Sequence, residues 1–387
     1  MTPLNPVFAD RPVTIFAVMT ALADKFGAVN LGQGFPDEDG PSSLIAIAAR
    51  AMEKGPNQYA PVGGHPALRE ALARANKRFY GLDIDAKTQT LVTAGATEAI
   101  AASFMALLRP GDEAILLAPF YDCYAPMVEA AGARPVIVRL NPPDWRIDGA
   151  ALEAAITPKT RVIAVNSPHN PTGRALAREE LETIADIVRK HDLVAVCDEV
   201  YEHLLFDGRS HIPLMTLPDM ADRCVRIGSA GKTFSMTGWR IGYLTGPERL
   251  IAGIMKAHQF IAYTCAPHLQ VAVAAGLDFP DEYYDEFVAG MQQKRDLMQT
   301  VLEEAGFDAL ACEGTYFVNA DITSVGRKDD MAFCREITEK AGVAAVPLSA
   351  FYYGDDAEAP RSFARFCFCK KREVIEEAGD RLRRYFS

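Results

Sequence analysis

No stretch of this 387-residue chain approaches the roughly 20 apolar residues that a bilayer-spanning helix needs. The N-terminal MTPLNPVFADRPV has no apolar core of signal-peptide length, so the expected location is the cytoplasm. No run of five or more Lys and Arg occurs, and the formal net charge is −11. Such a diffuse acidic surface argues against nucleic acid or anionic membrane as a partner. The eight cysteines (Cys123, Cys197, Cys224, Cys265, Cys312, Cys334, Cys367 and Cys369) form no C-x-x-C pair, and the seven histidines are equally dispersed. No metal cluster is therefore visible from spacing. Scattered cysteines in apolar runs such as VAVCDEV read as reduced core residues rather than disulfides. Internal repeats and low-complexity tracts are absent as well.

What is present is an apolar chain, about half of it hydrophobic, too long for one ordinary core. From about residue 90, short β-branched runs alternate with longer amphipathic stretches. TLVT (90–93) leads into ATEAIAASFMALL, EAILLA (113–118) into CYAPMVEAAG, and RVIAVN (161–166) into AREELETIADIVRKH. LVAVCDE (193–199), CVRIGS (224–229) and RIGYLTG (240–246) follow. Near-continuous apolar strands separated by helical periods predict an α/β fold whose mostly parallel sheet is covered by helices on both faces. After DFPDEYYDEF the pattern changes. Long charged helices (about 282–305 and 330–341) flank short strands within TYFVNADI (315–322) and ARFCFC (364–369), which reads as a smaller α+β domain. The expected division is residues 1–40 beside the small domain and without a strand, 41–280 as the large domain, and 281–387 as the small one.

Chemistry-bearing residues gather at the ends of these strands. In SAGKTFSMTGWRIG (229–242), Lys232 sits between small residues where burial is expected, which is unusual for lysine. An isolated Ser-x-x-Lys is commonly a solvated loop. A buried lysine of lowered pKa, however, can attack a carbonyl and form an imine. Ser229 offers a hydroxyl and Arg240 a cation suited to phosphate. In VCDEVYEHLLF (196–206), Asp198 projects from a strand's carboxyl end, where open α/β sheets place ligands, although it would serve equally as a helix cap. Tyr201, three residues on, lies on the same side of a turn. An acid paired with a phenol suits a pyridinium nitrogen and a ring oxygen. NSPHNPTG (166–173) is rich in turn formers, and Asn170 is placed to donate to a ligand. TAGATEAI (93–100) is a turn before a helix whose N–H groups at Gly95, Ala96 and Thr97 suit a phosphate. Tyr121, in APFYDCY (118–124), is either core or a ring stacked on a planar cofactor.

With these motifs in this order, the chain resembles the class I aminotransferases of pyridoxal-phosphate (PLP) fold type I, from LGQGFPDEDGP near residue 31 to ARFCFCKK near 370. LGQGFPD, NQYAPVGGHPALREAL and PFYDCYAPM are most similar to the kynurenine aminotransferase, glutamine transaminase K and methionine aminotransferase group. The resemblance implies that Lys232 holds pyridoxal 5'-phosphate as a Schiff base and that Asp198 keeps the pyridine nitrogen protonated. It assigns Asn170 and Tyr201 to the ring oxygen and Tyr121 to stacking. Ser229, Arg240 and the backbone at Ala96 and Thr97 would hold the phosphate, with Tyr59 reaching across from a partner subunit. Arg365 would clamp the substrate α-carboxylate, assisted by the backbone near Gly34. Read without the family, Arg365 is an exposed strand charge.

Two positions depart from the pattern. Thr97 stands where kynurenine enzymes carry an aromatic, and Ala96 replaces a glycine; both bear on kynurenine specificity and leave transamination untouched. Phe16, Tyr263 and the FYYG segment (351–354) suggest an aromatic-lined side-chain pocket, favouring glutamine, methionine or aromatic donors over aspartate. The implied reaction moves an amino group from an α-amino acid to a 2-oxo acid in two half-reactions with ping-pong kinetics, in a homodimer with sites at its interface. A cysteine-S-conjugate β-lyase would use the same residues. A PLP-binding regulatory domain is the more distant alternative, and the acidic charge argues against it.

Overall fold

The computed structural model describes residues 2–354 and 356–387. The N-terminal segment has a strand after all. Helix Ile15–Phe26 is followed by β1 (Val29–Asn30), which pairs in parallel with Val343–Ala344. Two residues are too few to leave an alternating pattern in the sequence.

The central sheet contains β2 (Thr90–Thr93), β3 (Glu113–Ala118), β4 (Arg134–Arg139), β5 (Thr160–Asn166), β6 (Val194–Asp198), β7 (Cys224–Ser229) and β8 (Gly242–Thr245). Its order is β2-β8-β7-β6-β5-β3-β4. Only the pairings of β8 with β2 and β7 are antiparallel. β4 was not anticipated: its Arg-Pro start looks unlike a strand, but on an edge the missing proline N–H costs no ladder bond.

Side-chain alternation explains why the inner strands read as continuous apolar runs. Leu116, Val162, Ala164 and Val196 enter one core layer, while Ile115, Leu117, Ile163, Val165, Ala195 and Cys197 enter another. Both faces are covered, so every position must be apolar. The helix Arg178–Lys190 covers one face with Leu181, Ile184, Ala185 and Val188, and its charged face is left to water. The helix Ala96–Leu107 covers the other.

Beyond a 24-residue helix (Asp281–Glu304), β9 (Asp308–Ala309), β10 (Phe317–Asp321), β12 (Val346–Pro347) and β13 (Phe363–Cys367) form a second sheet ordered β12-β13-β10-β9; Val343–Ala344, the partner of β1, is β11. All its pairings are antiparallel. Helix Asp330–Glu336 continues into a wide turn at Ile337–Ala341. The pairing of β1 with β11 supports grouping residues 1–40 with 281–387, a division we propose for the two lobes.

The segment after β6 is anchored by a buried ion cluster. Glu199 and Glu202 turn away from the strand-end face and both meet Arg226 of β7, the latter at 2.9 Å. Tyr80 donates to Glu202 at 2.7 Å. Burial alone would raise both carboxyls, and the guanidinium reverses this, holding them below the usual range. Arg226→Met would leave two buried carboxylates without their cation, so stability should fall by about 3–5 kcal/mol in urea unfolding. An unchanged midpoint would show that the cluster contributes nothing.

Candidate active site

The carboxyl ends of β5, β6 and β7 lie level, with Asn166 opposite Asp198 and Asp198 opposite Ile227. The chain leaving each strand end delivers a side chain to one cavity of about 420 Å³ between the two sheets. Phe16, Gly34, Ala96, Thr97, Tyr121, Asn170, Asp198, Tyr201, Ser229, Lys232, Arg240 and Arg365 all line it.

Lys232 follows β7 in a single helical turn (Ala230–Thr233). Its Nζ donates to the carbonyl of Gly34 at 3.4 Å and lies 5.4 Å from the rings of both Tyr201 and Tyr316. Burial lowers its pKa, and Cys369, Cys367 and Asp198 only partly oppose that. Asp198 closes β6. Desolvation lifts its carboxyl from 3.8 to about 6, against a hydrogen bond from the Tyr124 hydroxyl and one from the N–H of Val200. Tyr201 is buried and its pKa is raised by desolvation.

Arg365 lies in β13, paired with Asn319 of β10 and Val346 of β12. It is 1% exposed, so the expectation of an exposed strand charge is overturned: β13 is flanked on both sides and its Arg365 faces the cavity. Nη1 donates to Asn170 Oδ1 at 2.6 Å and Nη2 to the Gly32 carbonyl at 3.3 Å, while Nε has no partner. The rings of Phe317 and Phe351 lie 3.8 and 4.5 Å from the guanidinium. Among the described residues no carboxylate bonds to it, and burial pushes its pKa down to about 10. A buried guanidinium in this state has the chemistry to pair with a carboxylate ligand.

The turn before helix Ala96–Leu107 packs closely against Arg240 at the edge of the cavity. Gly95 has φ +80, and a Cβ there would sit 2.5 Å from the Arg240 guanidinium. A Cβ on Gly242 would lie 2.4 Å from the Gly95 carbonyl carbon. The first N–H groups of the helix have no intrahelical partners and open towards the cavity beside Arg240.

Tyr59 is not in the cavity. It is 80% exposed, with its ring 5.1 Å from Tyr263 over a separate surface cleft. Tyr263, packed on Tyr59, likewise lies outside the cavity of its own chain. Its N–H closes the helix Glu248–Ile261 on the His258 carbonyl, and its φ of 67 turns it outward. Of FYYG, Phe351 reaches Arg365, whereas Tyr353 bonds Glu129 on another face. Phe35 and Phe317 supply aromatic lining instead. Asn166 was also missed, though it opens NSPHNPTG. It bonds the Asp198 carbonyl at 2.8 Å and accepts the Asn170 N–H at 2.8 Å, tying two strand ends together.

The aminotransferase class I and II model matches residues 27–382. The chain belongs to the class I and II aminotransferases. A probable N-succinyldiaminopimelate aminotransferase of Mycobacterium tuberculosis is 45% identical over 95% of both chains. A methionine aminotransferase of Escherichia coli is 40% identical over 96% of this chain and 95% of its own. Human kynurenine–oxoglutarate transaminase 3 is 37% identical over 94% and 86%. The solved structure of the mycobacterial N-succinyldiaminopimelate aminotransferase overlays with a TM-score of 0.96 at 44% identity, covering 100% of both chains. This aminotransferase is an α/β protein whose cofactor is pyridoxal phosphate. The lining fits that group: an amine of lowered pKa, a carboxylate beside it, and a glycine-lined anion cradle occur in one cavity. No helix among the described residues is long and apolar enough to cross a membrane.

The Asp198 carboxyl yields a pH prediction. With its pKa raised on folding, the stability it allows the cofactor-free chain is full below 3.8 and declines as pH rises through about 6, by roughly 3 kcal/mol in all. The cofactor-free Asp198→Asn variant should therefore gain on wild type in urea midpoint between about pH 4 and about pH 7.5. A difference that stays constant with pH would contradict the burial argument.

Proposed function

We propose that this aminotransferase takes its amino group from an α-amino acid with an uncharged side chain, of the glutamine, methionine, aromatic or kynurenine type, and passes it to a 2-oxo acid. The observation carrying this reading is the charge inventory of the cavity, whose lining holds three cations, Lys232, Arg240 and Arg365, and one carboxylate, Asp198. Each cation has its work within the reaction, which leaves none for a second substrate carboxylate. Phe16, Phe35, Ile100 and Phe317 present an apolar wall.

Bound pyridoxal phosphate supplies an aldehyde that condenses with amines and a ring that accepts the electrons of the bond broken at Cα. The chain supplies the rest. Arg240, Ser229 and the N–H groups of Ala96 and Thr97 hold the phosphate. Asp198 holds a proton at the pyridine nitrogen, and Tyr121 packs on the ring. Asn170 gives its Oδ1 to Arg365 and keeps Nδ2 for the ring oxygen beside Tyr201. Arg365, with the backbone of Gly34, clamps the substrate α-carboxylate. Lys232 would hold the cofactor through its Nζ and, as a neutral amine, would take the Cα proton of the substrate. The exposure of Tyr59 and of Phe260 (87%) supports a homodimer in which Tyr59 serves the partner's cavity. Eight free cysteines support a reducing, cytoplasmic setting.

The 45% identity to the probable N-succinyldiaminopimelate aminotransferase favours a second reading, a donor with distal acidic groups. Initial-rate kinetics with glutamine, methionine, phenylalanine, kynurenine and N-succinyldiaminopimelate separate the two. Neutral donors should give the higher kcat/KM, with parallel double-reciprocal lines against the oxo acid. Intersecting lines would overturn the two half-reactions, and preference for the acidic donor would overturn the substrate class. Pyruvate release from an S-conjugate without an oxo acid would instead reveal β-elimination.

A further inference from the structure

Glu98 and His258 stand directly behind the anion cradle, and neither has a part in the chemistry above. Glu98 is the third residue of helix Ala96–Leu107 and is 8% exposed. Its Oε2 accepts the N–H of Ala94 at 2.6 Å, and its Oε1 lies 2.6 Å from Nδ1 of His258. His258, 0% exposed, belongs to helix Glu248–Ile261, which packs along the helix carrying Glu98. An ionised carboxylate only accepts, so Nδ1 of His258 carries the proton between them.

A glutamate three residues into a helix that reaches back to a backbone N–H is an ordinary helix-start device. An ordinary cap needs no buried imidazole, and this one sits at a turn already confined elsewhere. Arg240 lies against Gly95, whose φ is +80, and the turn's own backbone leaves no room for a Cβ on Gly242. Glu98 adds a further tie at Ala94, the residue before Gly95. The carboxylate also places a negative charge in the helical turn whose N–H groups must receive another anion. The His258 N–H holds Oε1 of that carboxylate while Oε2 stays on Ala94.

We propose that the Glu98–His258 pair is a positioning device that sets the affinity of the Gly95–Thr97 turn for the cofactor phosphate. The inference rests on reading that turn, with Arg240, as the phosphate site. The test is titration of the cofactor-free protein with pyridoxal phosphate, followed by kcat at saturating cofactor. Glu98→Ala and the milder His258→Gln should each raise the dissociation constant roughly three- to tenfold, the range of one lost hydrogen bond, with kcat changed less than about twofold. Glu98→Gln retains an acceptor for Ala94 and should restore affinity to within about twofold of wild type. Arg240→Ala tests the underlying reading: if it leaves affinity unchanged, the phosphate assignment falls. If Arg240→Ala weakens binding while Glu98→Ala and His258→Gln do not, the pair has no positioning role. A fall in kcat with unchanged affinity would likewise overturn the proposal.

Discussion

A buried cation without its counter-ion is the constraint from which most of this site follows. Arg365 is held in the middle of a sheet strand by two backbone ladders, so its guanidinium cannot retreat to water. Aromatic rings and two oxygen acceptors compensate it, and its Nε is left without a partner. Keeping an unpaired charge in such a place costs stability, which a carboxylate ligand would return. The same logic holds across the cavity, where burial lowers the Lys232 amine and raises the Asp198 acid. Burial weakens each group's hold on the charge it carries in water, and each is set for a ligand of complementary charge.

The fold supplies this by geometry more than by special residues. Parallel strands end on one edge, and the segments leaving them carry the functional side chains. The DEVYE segment shows the economy of it. Asp198 and Tyr201 face the cavity, while Glu199 and Glu202, one residue on from each, face Arg226 behind the sheet. One run of five residues thus provides both the reacting face and its anchor.

Much of this was legible in the sequence because double burial leaves a plain trace. The inner strands are apolar at successive positions, so β3, β5, β6 and β7 could be marked almost to the residue. β4, on an edge, and β1, of two residues, leave no such trace. Site residues within compact motifs at strand ends were found together, and all but Tyr59 share the cavity. Phe317 escaped notice because nothing local distinguishes its side of β10 from any other buried strand position. The environment of Arg365 was equally hidden, since neighbours from three distant segments bury it. The outward turn of Tyr263 was hidden as well, since no periodicity shows its left-handed backbone.

The central claim is that Lys232 is the residue covalently joined to the cofactor and the base that moves the proton. Borohydride reduction of the cofactor-loaded protein, followed by peptide mass spectrometry of wild type and Lys232→Ala, tests it most directly. The account predicts a cofactor-modified peptide containing Lys232 in wild type, no modified peptide in the variant, and no turnover by a variant that still binds pyridoxal phosphate. Modification at another lysine, or normal turnover by Lys232→Ala, would contradict it.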